Sequence, residues 1–498
     1  ELALDVNGAA NWEKLWGKPV ERVQFQPRVW PSKRLGSPAF AGAPLFRAST
    51  IPGIVLTASD GQDIGCRLNR LTLPSRGQLN RSLALSNRPV RGEPFEPAQI
   101  LRVDATKRDL GRFLADTNYK DRTVVVVTGH GMRKSSPIHV RGKRLRLRFE
   151  TTGDTPLVLM PRDLATRSLK SADDYRAFIE VVEGGIEIVG GMFRIGSSAS
   201  KADPQWFLSV EDGDFSIRQT YITGPMLQSN RYQGLIDWRG TREAPAGREY
   251  AAYGEIVGSS LLTKGTLLRS PLQGRALHVH NSLLVSLDDL TTLTFPAQEL
   301  SIHSTLDIAQ STLSSGGVCF DLIGTRENSS SSPLRLFVDQ TVFSVPVKSK
   351  VRPAPRPAIV RCTKDLDRPG NVVWWGTSNA FALDVVKYLD DGREPVAGER
   401  QAFRNVWSEA WGDGHVSDAL AGRGDVLLTK ALPVPSRVRP EQFALEAGTP
   451  AATAGTGGEP LGARVKELPD PAVKLENKTN NDTGGTKKKA KSGRAVLE

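Results

Sequence analysis

The stretch SIRQTYITG, residues 216–224, decides the fold because it keeps returning. Its relatives are EIVGGMFRI (187–195), EIVGSSLLT (255–263), HVHNSLLVS (278–286), DIAQSTLSS (307–315) and FVDQTVFSV (337–345). The shared pattern is an apolar residue, any residue, Asn/Gln/Gly, Ser/Thr/Gly, any residue, then an apolar residue. The first apolar positions are Ile188, Ile217, Ile256, Val279, Ile308 and Val338, which lie 29, 39, 23, 29 and 30 residues apart. The first two copies align without a gap over a longer span, 178–195 against 207–224.

A recurring period of this size is the mark of a solenoid. Each unit holds two or three runs of three to five strand-forming residues separated by polar turns, with no long three- and four-residue apolar spacing. One such coil cannot bury its inner face alone. Stacking pairs each strand with its equivalent in the next coil and builds interior ladders. The polar pair sits at a corner between two strands, where amides and hydroxyls can serve the turn backbone. Gly190, Gln219, Gly258, Asn281, Gln310 and Gln340 are therefore expected as structural corner residues, with Gly190 and Gly258 free to adopt positive φ. The fold class expected is all-β, a right-handed parallel β-helix of about eight to ten coils. Propeller blades run to about 40–45 residues and need four antiparallel strands, which these units are too short to supply.

The rest of the chain is organised around that stack. Residues 1–120 are rich in Pro, Gly and Arg and read as a β-rich N-terminal region of unassigned type, with one short helix at 107–117 whose Leu110, Phe113 and Leu114 share a face. The β-helix with its closing segment is placed at 122–467. A second helix-like spacing lies at 399–411. Residues 468–498 are polar, end in a Lys-rich run, and read as a disordered basic tail. Cys66, Cys319 and Cys362 fit no metal-ligand spacing and read as buried thiols, with one disulfide left open. The chain starts at Glu1, as a processed form or fragment would. It shows no signal peptide and no apolar run long enough to cross a bilayer.

At these residues the chain resembles a known group. Its coils are similar to those of the pectate-lyase-like right-handed β-helix superfamily, and FALEAGTPAATAGTGGEPLGA (443–463) resembles the segment that closes such helices. More narrowly, 177–195, 319–346 and 437–463 are similar to β-helix regions of large planctomycete proteins, some of which carry a serine/threonine kinase domain elsewhere. The resemblance implies a long rigid scaffold, an extracytoplasmic or cell-surface location, and a polysaccharide enzyme as the activity to look for. This chain has no kinase signature: Gly-rich loop with its lysine, H-R-D and D-F-G are all missing.

The enzyme patterns of that superfamily fit poorly. Gly129-His130-Gly131 precedes nearly all the coils, whereas polygalacturonases place such a motif after their aspartates, so a turn is the plainer reading. The pairs Asp173-Asp174, Asp288-Asp289 and Asp390-Asp391 lie in loop-like contexts. Adjacent strand residues point to opposite faces, so none forms a flanking carboxylate pair. Glu211, Asp212 and Asp214 could ligate calcium but also make an ordinary turn. His278 and His280 should project outward from one strand face, with His303 a coil later, yet no further ligand completes a metal site. Trp206, Tyr221, Trp238, Trp374 and Trp375 are candidates for stacking on sugar rings. No catalytic residue, metal or cofactor is assigned.

Charge points to acidic partners. The formal net charge is +12, and from Arg122 to Arg148 there are eight Lys/Arg and no Asp or Glu. In KRLRLRFE (143–150) Arg144, Arg146 and Arg148 alternate with apolar residues, as on a strand with a cationic outer face. With Arg141 they form the candidate binding stripe. No RNA-binding aromatic motif, zinc finger or helix-turn-helix accompanies it, so nucleic acid is not the expected partner. The expectation is a non-catalytic module binding an acidic polysaccharide, another cell-surface polymer or a protein. The alternative is a divergent polysaccharide lyase or glycoside hydrolase.

Overall fold

The structure, a computed structural model, describes residues 95–390 apart from segments between strands, residues 439–469 apart from 456–457, and two N-terminal strands, Val20–Gln24 and Val55–Ala58. The two N-terminal strands pair antiparallel. The rest is predominantly strand and forms three parallel sheets of 10, 9 and 9 strands. The chain visits the three sheets in turn, one strand of each per coil, so the fold is a parallel β-helix. Nine such coils run from Thr123 to Asp390 among the described residues. The stack opens one strand earlier than the sequence places it, because Gln99–Asp104 pairs in parallel with the strand Thr123–Gly129. The helix-like 399–411, most of the basic tail, Cys66, Asp173-Asp174 and His303 lie outside the described residues, as do Asp391 and the side chains of Cys362, Trp374, Trp375 and Asp390.

The repeat sets the core. In the first sheet Leu147, Ile188, Ile217, Ile256, Val279, Ile308 and Val338 are successive register partners, all buried. They make one continuous aliphatic ladder, each rung about 4.8 Å from the next.

The corner between the first and second sheets explains the polar pair. Gly190, Gln219, Gly258, Asn281, Gln310 and Gln340 all have positive φ, between 43° and 75°. The residue after each turns inward. Thr220, Ser259, Ser282, Ser311 and Thr341 are buried, and Asn379 continues the row. The backbone N–H of one member donates to the side-chain oxygen of the next: Thr220 to Ser259 (3.1 Å), Ser259 to Ser282 (3.3 Å), Ser282 to Ser311 (3.2 Å) and Thr341 to Asn379 (2.9 Å). Each hydroxyl in turn donates to the carbonyl two residues back, as Ser311 does to Ala309 at 2.8 Å. Backbone groups that the turn removes from the sheets are thus satisfied inside the stack. A left-handed backbone costs a side chain about 1–2 kcal/mol, and a β-branched one more. Gln310→Val is therefore expected to lower the thermal midpoint, and Gln310→Gly to leave it near wild type. Equal midpoints for the two variants would remove the conformational argument.

The N-terminal end of the stack is plugged by the helix Leu110–Asp116, with Leu110, Phe113 and Leu114 buried as their spacing predicts. Gly111 lies against the Ser136 carbonyl so closely that a Cβ could not fit. Asp109 caps the helix, accepting from Arg112 N–H and from both N–H and hydroxyl of Ser136, each at 3.0 Å, while Arg162 stands 3.1 Å away. Burial alone would raise this carboxyl's pKa. The hydrogen bonds and Arg162 outweigh it and hold the group below the ordinary carboxylate value. A lowered pKa gives stability that is present above the unfolded-state value and is lost as pH falls through the folded one. Asp109→Ala should cost about 2 kcal/mol, and the loss relative to wild type should shrink in acid. A pH-independent difference in midpoint would contradict this.

The segment 439–469, which the resemblance marks as a closing segment, runs along the side of the second sheet. Gly462 N–H donates to the Gln340 carbonyl (2.8 Å), Ala463 N–H to Thr312 Oγ1 (3.0 Å) and Arg464 N–H to Asn281 Oδ1 (2.8 Å). Three consecutive residues step across three coils. The reason is apolar: Leu262, Leu283, Val285 and Val342 face outward on that sheet, and Phe443, Ala451, Leu461 and Leu468 cover them.

Candidate functional site

The residue before each core position of the first sheet points outward. Along the stack this row reads Arg146, Glu187, Ser216, Glu255, His278 and Asp307. The row two residues on contributes Arg148, Arg218 and His280. Acids and bases in the two rows pair with one another. Arg146 Nε donates to Glu187 at 2.6 Å. Arg218 donates to Glu255 through Nε (2.9 Å) and Nη2 (2.5 Å), and Ser216 adds a bond of 2.9 Å to the same oxygen. His278 Nδ1 lies 3.0 Å from Asp307 Oδ2, and Asp307 is buried. His278 and His280 share the face, their rings parallel and 6.1 Å apart. Asp307 is the residue that sequence reading missed. The signal was present, since His278 plus the 29-residue period is 307. Chemically, a carboxylate on Nδ1 orients an imidazole as in general-base sites, while each glutamate of the row is tied to an arginine.

The stripe residues do not stay together. Arg144, Arg146 and Arg148 project from the first sheet, whereas Arg141 stands on the third. Arg144 is 4.0 Å from Asp121, Arg146 bonds Glu187, and Arg148 is 2.6 Å from Glu150. His130 is an exposed turn residue between Gly129 and Gly131, both at positive φ. Asp214 accepts from Tyr253 N–H at 2.9 Å and Glu211 pairs with Arg239 at 3.3 Å, so the EDGD turn is engaged in the fold. Asp289 accepts from Val318 N–H (2.8 Å) and pairs with Arg361 (2.8 Å). Trp206 and Trp238 are buried and cannot stack on a sugar; the Trp238 indole donates to the Gly213 carbonyl at 2.9 Å. Cys319 is a buried free thiol whose pKa is raised by burial. Among the described residues no three His, Cys, Asp or Glu side chains are grouped as metal ligands, and no helix is long and apolar enough to cross a membrane.

A second charged face lies on the third sheet. Asp237 is fully buried, and Arg176, Arg239 and Arg269 stand 2.9, 3.0 and 2.9 Å from it. Arg269 also lies over the Trp206 ring, 4.6 Å from its centroid. Beside this cluster His139 meets Glu180 at 3.2 Å, and that contact holds the Glu180 carboxyl below its ordinary value. None of this was visible from the corner repeat, because the third-sheet strands are separated from it by segments of variable length.

No protein-family model, curated protein or solved structure matches this chain.

Proposed function

We propose that the protein is a non-catalytic, right-handed parallel β-helix module that binds an extended carbohydrate or other cell-surface polymer along its long faces. The right hand is the one that parallel strand crossovers take. On this reading the likeness of the coils to pectate-lyase-like helices, and of 177–195, 319–346 and 437–463 to planctomycete β-helix regions, reflects a shared scaffold used as a surface or signalling-protein region. One observation carries the reading. On the outer face of the first sheet, Glu187 and Glu255 are engaged by Arg146 and Arg218, which leaves a braced, mixed-charge surface instead of an acid and base poised across a cleavable bond. The stack of nine coils offers long faces on which a polar chain can lie across many rungs.

The His278–Asp307 contact favours a second reading, a divergent polysaccharide lyase or hydrolase with His278 as base. A panel of acidic and neutral polysaccharides, with and without calcium, separates the two when read for both binding and new chain ends. Binding without new ends is the expected result. New ends that disappear in His278→Ala would establish the enzyme. Binding to none of the panel would end the polymer reading and move attention to a protein partner.

A further inference from the structure

We infer that the third-sheet face carries an oxyanion-recognition site, formed by Arg176, Arg239 and Arg269 around Asp237, that takes the carboxylate or sulfate groups of an anionic sugar chain. The inference rests on the polymer-binding reading and names where the chain would be gripped. Three guanidinium groups converge on one carboxylate that has no exposure to solvent. Arg176 spends Nε and Nη2 on Asp237, Arg269 spends Nε on Asp237 and Nη1 on Gln233, and Arg239 spends Nη2 on Ser209. Nη1 of Arg176, Nη1 of Arg239 and Nη2 of Arg269 donate no hydrogen bond among the described residues. The three side chains keep 34, 27 and 40 % of their surface. Arg176 and Arg269 are therefore anchored on one edge and open on the other, while Arg239 stands between Asp237 and Glu211, 3.0 and 3.3 Å away.

Two features make the outer edges a receptor instead of three flexible side chains. The shared buried carboxylate and the Trp206 ring fix the guanidinium positions, so little side-chain freedom remains to be lost on binding. A planar fork of paired N–H groups matches the geometry of carboxylate and sulfate oxygens. Burial, and then the neighbouring charge of Arg176, pull the Arg239 pKa down, while Asp237, Glu211 and Glu180 pull it up. The three arginines also span strands from Ala177–Val182 to Thr266–Pro271, four successive rungs of the sheet, which suits a chain with repeated charges.

The test compares wild type with R176Q/R269Q, with R269K, which keeps the charge but loses the fork, and with the stripe variant R144Q/R148Q. Binding is measured to heparin, polygalacturonate and neutral dextran. In parallel, thermal midpoints are taken in sodium sulfate against sodium chloride at equal ionic strength, which reads the anion site without any polymer. The expected result is at least a tenfold loss of heparin or polygalacturonate affinity in R176Q/R269Q, a smaller loss in R269K and none in R144Q/R148Q. The sulfate-specific rise in midpoint should be present in wild type and absent in R176Q/R269Q. Loss of polymer affinity in R144Q/R148Q alone would overturn the site and keep the polymer reading. A sulfate effect confined to proteins with the intact cluster, with no polymer bound, would keep the anion site and overturn the polymer reading. Equal sulfate effects in all four proteins would reduce the cluster to an ion-pair brace and overturn the inference.

Discussion

Ile217→Asp should abolish the folded stack. Ile217 is fully buried, with Ile188 on one side and Ile256 on the other in the ladder. The substitution removes a large aliphatic side chain from that ladder, a loss of about 2–5 kcal/mol for comparable truncations. It also places a carboxylate where no cation can reach it, which adds several kcal/mol more. Single domains hold only about 5–15 kcal/mol in total. The stack is nearest-neighbour in its energetics, so a broken rung uncouples the coils on either side. The expected readout is loss of the β-sheet circular dichroism signal and of a cooperative thermal transition. Ile217→Val, which keeps the apolar contact, should cost only about 0.5–1.5 kcal/mol. A wild-type midpoint in Ile217→Asp would mean that the side chain is not in the core.

Asp237→Ala is expected to be the most damaging change among the charged residues. It removes the one carboxylate shared by Arg176, Arg239 and Arg269 and leaves three guanidinium groups facing one another. Breaking a buried pair from one side costs about 3–5 kcal/mol. Because all three arginines reach solvent, the lower end, about 3 kcal/mol, is the expected loss. The loss should shrink as salt rises, since screening acts on the exposed repulsion that remains. Sulfate should restore more of it than chloride does at equal ionic strength. An Asp237→Ala midpoint independent of salt would assign the loss to packing and leave no role for the arginine charges.

The corner repeat made the first sheet and its inner ladder readable, because one coil length brings Ile188, Ile217, Ile256, Val279, Ile308 and Val338 into register. The same residues told which side chains face out, and so placed His278 and His280 together. They also marked the turns at Gln219, Asn281, Gln310 and Gln340, since an amide or glycine there followed by Ser or Thr is the local signature of a left-handed corner. Short-range chemistry of this kind is written in neighbouring residues and repeats with the coil.

The pairing of charges is different in kind. Arg146 with Glu187 and Asp237 with Arg176 join residues 41 and 61 positions apart. Which charge meets which depends on the length of every intervening loop, and those lengths vary from coil to coil. Arg144, Arg146 and Arg148 therefore looked free in sequence and are engaged by acidic partners in space. The same limit applies to 443–463. Its resemblance to segments that close such helices marked it as part of the helix, but only the packed second sheet, with Leu262, Leu283, Val285 and Val342 turned outward, decided that it lies along the side of the stack. The sequence alone determined the coil, its corners and its inner face, because these rest on local backbone preference and a repeated apolar position. The tertiary structure alone decided the partners on the outer faces, because stacking brings together side chains whose separation along the chain follows no fixed rule.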